Sequence, residues 1–356
     1  EIRKSWERTC EDTGEDPDQL PPFHDPFAGG GAIPLEAQRL GFNSYASDLN
    51  PVAVMINKAM IEIPPRFTGR APVGPIPKGE QDETVTTWPG NTGLAEDVRR
   101  YGHWIQKEAY QKIGHLYPKA EIPEQHGGGC GNVIAWLWAR TITCPNPACK
   151  AQMPLIRSYD LCTKKGQYTR FAPVVDTSQS PPTIKYEIRE TPPIDQNGTV
   201  NRSGAYCLAC QAPVPFKVIR EEGKHGRLSQ QLIAAIVESK RGRIYTVPDH
   251  SHYDIAYSAH SEYTPTEEIS HWPGRTNVVE YGMTTFGDLF TSRQLIALST
   301  YSDLVKEARH HIIEHAKSHG WKDDGVSLDN GGHCATAYGD ALAVYLAFAV
   351  DRTANT

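Results

Sequence analysis

The sequence predicts an α/β fold: parallel strands joined by helices, interrupted by an inserted, mostly β subdomain and closed by C-terminal helices. Three observations predict it. Residues 1 to about 63 alternate between helix-like and strand-like patterns. From Val133 to Pro248 the texture changes to short β-rich runs, and after that helical periodicity returns.

The first helix is followed by PPFHDPF (21–27), which reads as a short strand running into a Gly-rich turn. AIPLEAQRLG (32–41) carries apolar residues at helical spacing and stops at Gly41. FNSYASD (42–48) reads as a second strand. PVAVMINKAMIEI (51–63) reads as a helix with Asn50 at its N-cap and Pro51 in its first position. Strand–helix–strand–helix order implies parallel strands with right-handed crossovers. Residues 64–92 are rich in Pro and Gly and read as a loop. A helix follows from about Gly93 to Leu116, then a loop containing HGGGCGN (126–132). VIAWLWARTITC (133–144), MPLIRSYDL (153–161), TIKYEIRE (183–190), PFKVIRE (215–221) and RIYTVP (243–248) are the β-rich runs. LFTSRQLIALSTYSDLVKEARHHIIEHAK (289–317) and the apolar ALAVYLAFAV (341–350) read as helices. This texture divides the chain into 1–132, 133–250 and 251–356.

Composition narrows the function classes. The 356 residues are 39% hydrophobic and 22% charged, as in a packed globular chain. No apolar run approaches the ~18 residues of a membrane span. The formal net charge of −6 argues against a general polyanion binder, although local basic patches leave a DNA enzyme open. The chain opens on Glu1 with no signal-peptide pattern, which reads as a cut inside a longer protein.

Two segments carry chemistry. Asp25-Pro26-Phe27-Ala28-Gly29-Gly30-Gly31 sits between a strand and a helix, where glycines let the backbone approach a ligand and the helix start offers free N–H groups. Asp48 closes the next strand, where an acid in nucleotide-binding α/β folds accepts hydrogen bonds from ribose hydroxyls. The turn lacks the G-x-G-x-x-G of dinucleotide sites and the Gly-Lys-Ser/Thr ending of a P-loop. S-adenosylmethionine has no phosphate to seat, and its α-ammonium suits an acid such as Asp25. An ordinary βα turn is the alternative, and Asp48-Leu49-Asn50-Pro51 at the right interval argues against it.

The second segment is a set of cysteines. Cys144 and Cys149 are spaced C-x4-C, and Cys207 and Cys210 are spaced C-x2-C. Two such turns can bring four thiolates to one tetrahedral Zn2+, a closed and therefore structural site. Cys162 is the one substitute ligand, and Cys10, Cys130 and Cys334 are bystanders. A rival metal pattern is His311-Ile312-Ile313-Glu314-His315, an H-x-x-E-H peptidase motif on a helix. It lacks a clear third ligand, and a solvated His-rich helix face is the favoured reading. Asp249-His250-Ser251-His252 reads as a loop.

The stretch from Asp25 to Pro64 is similar to the cofactor-binding motif of amino-methylating DNA methyltransferases. With WARTITCPNPACKAQMPLIRS, YCLACQAPVPF, TTFGDLFTSRQLIALSTYSDLV and YGDALAVYLAFAVDR, it resembles the prokaryotic family of adenine-specific DNA methylases containing a zinc ribbon. The resemblance covers most of the chain. It implies a partial Rossmann-like methyltransferase sheet with an inserted zinc ribbon, binding S-adenosyl-L-methionine and Zn2+. It implies that Asp25, Phe27, Gly29 and Gly31 line the methionine side, that Asp48 takes the ribose, and that Asn50 and Pro51 shape the adenine edge. Double-stranded DNA would be the substrate, with the target base flipped out. The setting would be the prokaryotic cytoplasm and nucleoid, in restriction–modification or phage defence, with partner proteins from the defence system.

Such enzymes also need an Asp/Asn/Ser-Pro-Pro-aromatic tetrapeptide to hold the acceptor amine. LPPF, IPPR, SPPT and TPPI all fail that pattern. The sequence therefore assigns no catalytic residue. The family places the tetrapeptide beyond Thr356, so this chain is expected to bind cofactor weakly and to methylate nothing alone. A noncatalytic nucleic-acid-binding module built around the zinc ribbon is the alternative from another class.

Overall fold

The structure, a computed structural model, describes residues 1–77, 79, 87–193, 198–240 and 242–354. It is a mixed α/β chain that divides into two compact units: Glu1–Lys112 with Leu298–Thr356, and Ile113–Ala297.

In the first unit, α1 (Ile2–Thr13) precedes β1 (Phe23–Asp25), α2 (Ala32–Arg39), β2 (Ser44–Ala46) and α3 (Pro51–Asn57). The strands β1 and β2 pair in parallel, Phe23 opposite Ser44 and Asp25 opposite Ala46. A helix between two paired parallel strands is the crossover unit that the alternation predicts. Asn50 caps α3 as its sequence position predicts, accepting a hydrogen bond from Val52 N at 3.0 Å, with Pro51 following it. The helical path continues through a π-turn (Lys58–Glu62) into α4 (Ile63–Arg66). It thus runs slightly past the predicted end at Ile63, with Pro64 and Pro65 inside α4.

The Pro/Gly-rich segment after α4 is pinned by one acid. Asp97, on α5 (Thr92–Ile113), is fully buried and accepts hydrogen bonds from Val73 N (2.8 Å), Gly74 N (2.7 Å) and Tyr338 Oη (2.6 Å). Part of that loop, residues 78 and 80–86, lies outside the described residues.

The second unit is mostly β. It contains β3 (Ala120–Glu121), β4 (Cys130–Gly131), β5 (Val133–Thr143), β6 (Gln152–Leu155), β7 (Asp160–Cys162), β8 (Thr169–Asp176) and β9 (Thr183–Arg189). After these come β10 (Gly204–Tyr206), β11 (Pro213–Pro215), α6 (Phe216–Lys224), β12 (Ser229–Ser239), β13 (Gly242–Thr246) and α7 (His250–Ser258). A four-stranded antiparallel sheet in the order β13-β12-β5-β6 stands beside a three-stranded one, β7-β8-β9. The unit is wider than the stretch 133–250. Ala120 packs with Ala235, Val237 and Ile244, and Trp136 Nε1 donates to His252 Nδ1 at 2.9 Å, which ties in residues on both sides.

Two local readings are corrected. PFKVIRE is helical, not extended: Pro215 precedes the first turn of α6, and Ile219 on its inner face is buried. Asp249 to His252 is not a loop but a helix start, where Asp249 caps α7 by accepting from Ser251 N at 2.8 Å.

The long α8 (Ser292–Ser318), whose residues from Leu298 belong to the first unit, and α9 (Ala335–Thr353) complete the chain. Ile63, Phe67, Tyr101, Leu304, Ile312 and Leu342 form the centre of the first unit's core. Among the described residues no helix is long and apolar enough to cross a membrane.

Candidate functional site

The strand tips of the first unit bring the predicted acids to one end. Asp25 ends β1, and Asp48 follows the end of β2 by two residues. The connection is laced by backbone: Ser47 N donates to Asp25 O at 2.9 Å, and Ala28 N donates to Ser47 O at 3.1 Å. Asp25 Oδ1 accepts from Phe27 N at 3.0 Å and so starts the turn. Gly29 (φ 52°) and Gly31 (φ 80°) adopt the left-handed region, which explains why glycine stands there. Gly31 is the N-cap of α2, with no side-chain cap of its own.

Asp48 joins the two predicted halves. Its Oδ2 accepts from Gly29 N at 2.8 Å and its Oδ1 from Asn50 N at 2.8 Å. Hydrogen bonds from the Asn50 and Gly29 N–H groups hold its carboxyl below the usual carboxylate range. Around it the surface is open: Phe27 is 88% exposed and Leu49 fully so. A cavity of about 500 Å³ runs along β2 and is walled by Ser44, Asp48, Asn57, Lys58 and Glu62 among others. Asp25 and the glycine turn are not in its wall.

The second unit gathers the four cysteines. Cys144 and Cys149 lie in the turn between β5 and β6, and Cys207 and Cys210 in the turn between β10 and β11. Their sulfurs all lie within 4.8 Å of one another, with Cys144 to Cys210 at 3.6 Å and Cys149 to Cys207 at 3.8 Å. Four thiolates at ~2.3 Å from one tetrahedral zinc stand about 3.8 Å apart, so the separations suit that ion.

Each turn is wound the same way. Lys150 (φ 50°) and Gln211 (φ 61°), each directly after the second cysteine, are the two non-glycine residues with positive φ among those described. Backbone N–H groups point at the sulfurs: Asn146 at Cys144, Ala209 and Cys210 at Cys207, and Ala212 at Cys210. Burial pushes the Cys144 and Cys207 thiols up, while the Ala212 N–H draws Cys210 down. Ile142, Met153, Val214 and Ile219 pack around the cluster. Cys162 lies in β7 and is not part of it.

The rival histidines do not converge. Among the described residues the four cysteines are the one group of three or more His, Cys, Asp or Glu whose ligand atoms come together. His315 Nδ1 is engaged with Tyr101 Oη at 2.7 Å, the His311 ring stands edge-on to Trp104, and Glu314 pairs with Lys317 at 3.0 Å.

Sequence reasoning missed two polar anchors. Asn57 reaches the glycine turn from the end of α3. Arg293 is buried in the second unit with its guanidinium 4.1 Å from the Trp136 ring centroid and 5.2 Å from that of Tyr117, donating to Leu116 O at 3.2 Å. Neither has a spacing signal: the contact of Asn57 with Gly29 and those of Arg293 with Leu116 and Trp136 are made only once the chain folds.

No family model, curated protein or solved structure matches this chain. Geometry and chemistry alone therefore bear on what the sites bind.

Proposed function

We propose that the chain carries the S-adenosylmethionine-binding part of a DNA methyltransferase acting on adenine N6, on a partial Rossmann-like sheet into which a structural zinc ribbon is inserted. The observation that carries this reading is the contact between Asp48 and Gly29, which sets a carboxylate and a glycine turn side by side at adjacent parallel strand tips.

The residues fit the cofactor. A carboxylate has about four lone-pair sites. The N–H groups of Gly29 and Asn50 take one site on each oxygen and the Leu49 N–H also faces the carboxyl, so the acceptor capacity that remains would serve a ribose hydroxyl. Asp48 is an ionised acceptor at neutral pH, as an ordinary carboxylate is, and the N–H groups that hold its pKa down also orient it. Asp25, Phe27, Gly29 and Gly31 would hold the methionine portion, and Asn50 and Pro51 the adenine edge. When bound, the cofactor supplies an electrophilic methyl group, and the chain's residues bind and orient it. Double-stranded DNA is the acceptor in this reading. No tetrapeptide to hold its base occurs in the sequence, so the chain serves the cofactor side of the reaction.

For the metal, the sulfur separations and the N–H groups aimed at the sulfurs support Zn2+ held by Cys144, Cys149, Cys207 and Cys210. Its role is to fold the two hairpins, not to react.

Equilibrium dialysis against labelled S-adenosylmethionine tests the proposal. The metal-replete protein should retain ligand, and Asp48→Ala should weaken retention about tenfold or more. Failure of the wild type to retain ligand while still binding duplex DNA would favour a noncatalytic nucleic-acid-binding module instead.

A further inference from the structure

Gly29 is gripped at both of its polar atoms by side chains from one short stretch of chain. Its N–H donates to Asp48, and its carbonyl accepts from Asn57 Nδ2 at 3.0 Å. The same Nδ2 donates to Ala53 O at 2.8 Å, one helical turn back. Both amide hydrogens are thereby used. Exchanging the nitrogen and oxygen would set an acceptor against two carbonyls, so the orientation of the amide is fixed.

The other half of the amide is the telling part. Asn57 is 8% exposed, and its Oδ1 has no hydrogen-bond partner among the described residues. That oxygen lies against Gly31, where a Cβ would stand 2.6 Å from it. A buried amide oxygen without a donor loses its hydration and gains nothing in return. A leucine would fill the space without that cost. What a leucine lacks is a donor for the Gly29 carbonyl. The helix also changes its winding at this point, since α3 ends at Asn57 and the π-turn begins at Lys58. Isolated π-turns within helices frequently accompany functional sites.

We propose that Asn57 is a positioning residue for the glycine turn. With Asp48 it fixes the two peptide planes that flank Gly29, and so sets the shape the turn offers to its ligand. The identity of that ligand rests on the methyltransferase reading; the clamp itself does not.

The test uses the whole metal-replete chain with Asn57→Leu, and Asn57→Ser as a smaller side chain should leucine fail to fold. Hydrogen exchange is followed in peptides covering residues 27–32, and S-adenosylhomocysteine is titrated calorimetrically. In a folded variant, exchange in 27–32 should accelerate about tenfold, and ligand affinity should fall about tenfold. The melting temperature of Asn57→Leu should fall only slightly, because losing the unpartnered oxygen partly offsets losing the bond to the Gly29 carbonyl. A purely structural role would lower the melting temperature and leave the affinity of the folded protein unchanged. Unaltered exchange in 27–32 in a folded variant overturns the proposal, as does affinity within about twofold of wild type. If the wild type binds no S-adenosylhomocysteine while exchange still accelerates in the variant, the clamp stands and the cofactor reading falls.

Discussion

The cysteine knuckles and the glycine turn each bend the chain tightly, by opposite means. The knuckles use side chains. Four sulfurs from two hairpins, distant in sequence, meet within 4.8 Å in a buried setting. The glycine turn uses backbone. Everything in it comes from the contiguous stretch Asp25 to Asn57, and its rim stays open, with Phe27 and Leu49 exposed. One ion can complete the first site, since four thiolates leave it no vacant position. The second is an open surface whose shape is set by backbone hydrogen bonds, so a ligand there, on the reading proposed above, would have to cover it from outside.

The largest effect is expected at the cysteine site. Cys207→Ser should remove one bound metal per chain, read by elemental analysis. It should also lower the unfolding temperature of the second unit by more than about 10 °C, because metal-binding energy is folding energy here. Retention of a full equivalent of metal would show that the four sulfurs are not its ligands. The strand-tip site should keep its ligand affinity in that variant.

Gly31→Ala sharpens the turn side. Its φ of +80° and the 2.6 Å approach to Asn57 Oδ1 should cost roughly 1–3 kcal/mol by chemical denaturation, with metal content unchanged. Gly29→Ala should cost less, about 1 kcal/mol, because its φ of +52° is unfavourable but no atom lies within 4 Å of the added Cβ. An equal cost at the two positions would mean that the Asn57 contact plays no part.

The smallest effect is expected on the His-rich face of α8. Glu314→Gln breaks an exposed ion pair with Lys317 and should change stability by less than about 0.5 kcal/mol. Loss of a peptidase activity in that variant would revive the rival metal reading.

The same contrast explains what the sequence revealed. The segments β1, α2, β2 and α3 were legible because their signals are local: helical spacing up to Gly41, the Asn50-Pro51 cap, and strands only a few residues long. The cysteine turns were legible because two sulfurs at chelating spacing announce themselves, although only the folded chain brings the pairs together. Three features were not. The central strand β12 carries an unbroken apolar run, LIAAIV, in which no alternation marks a strand. The Phe-Lys-Val-Ile start of α6 favours a strand locally, yet the segment is helical and buries Ile219 and Gly223, four residues apart on one face. The roles of Asn57 and Arg293 exist only through partners that the fold supplies.

The ligand proposed for Asp48 and the glycine turn is a sulfonium nucleoside. Ultraviolet crosslinking of methyl-labelled S-adenosylmethionine to the metal-replete protein, followed by peptide mapping, tests it most directly. Label should be confined to the segment from Phe23 to Pro51 and be competed away by S-adenosylhomocysteine. Label that maps elsewhere, or that competitor does not displace, would contradict it.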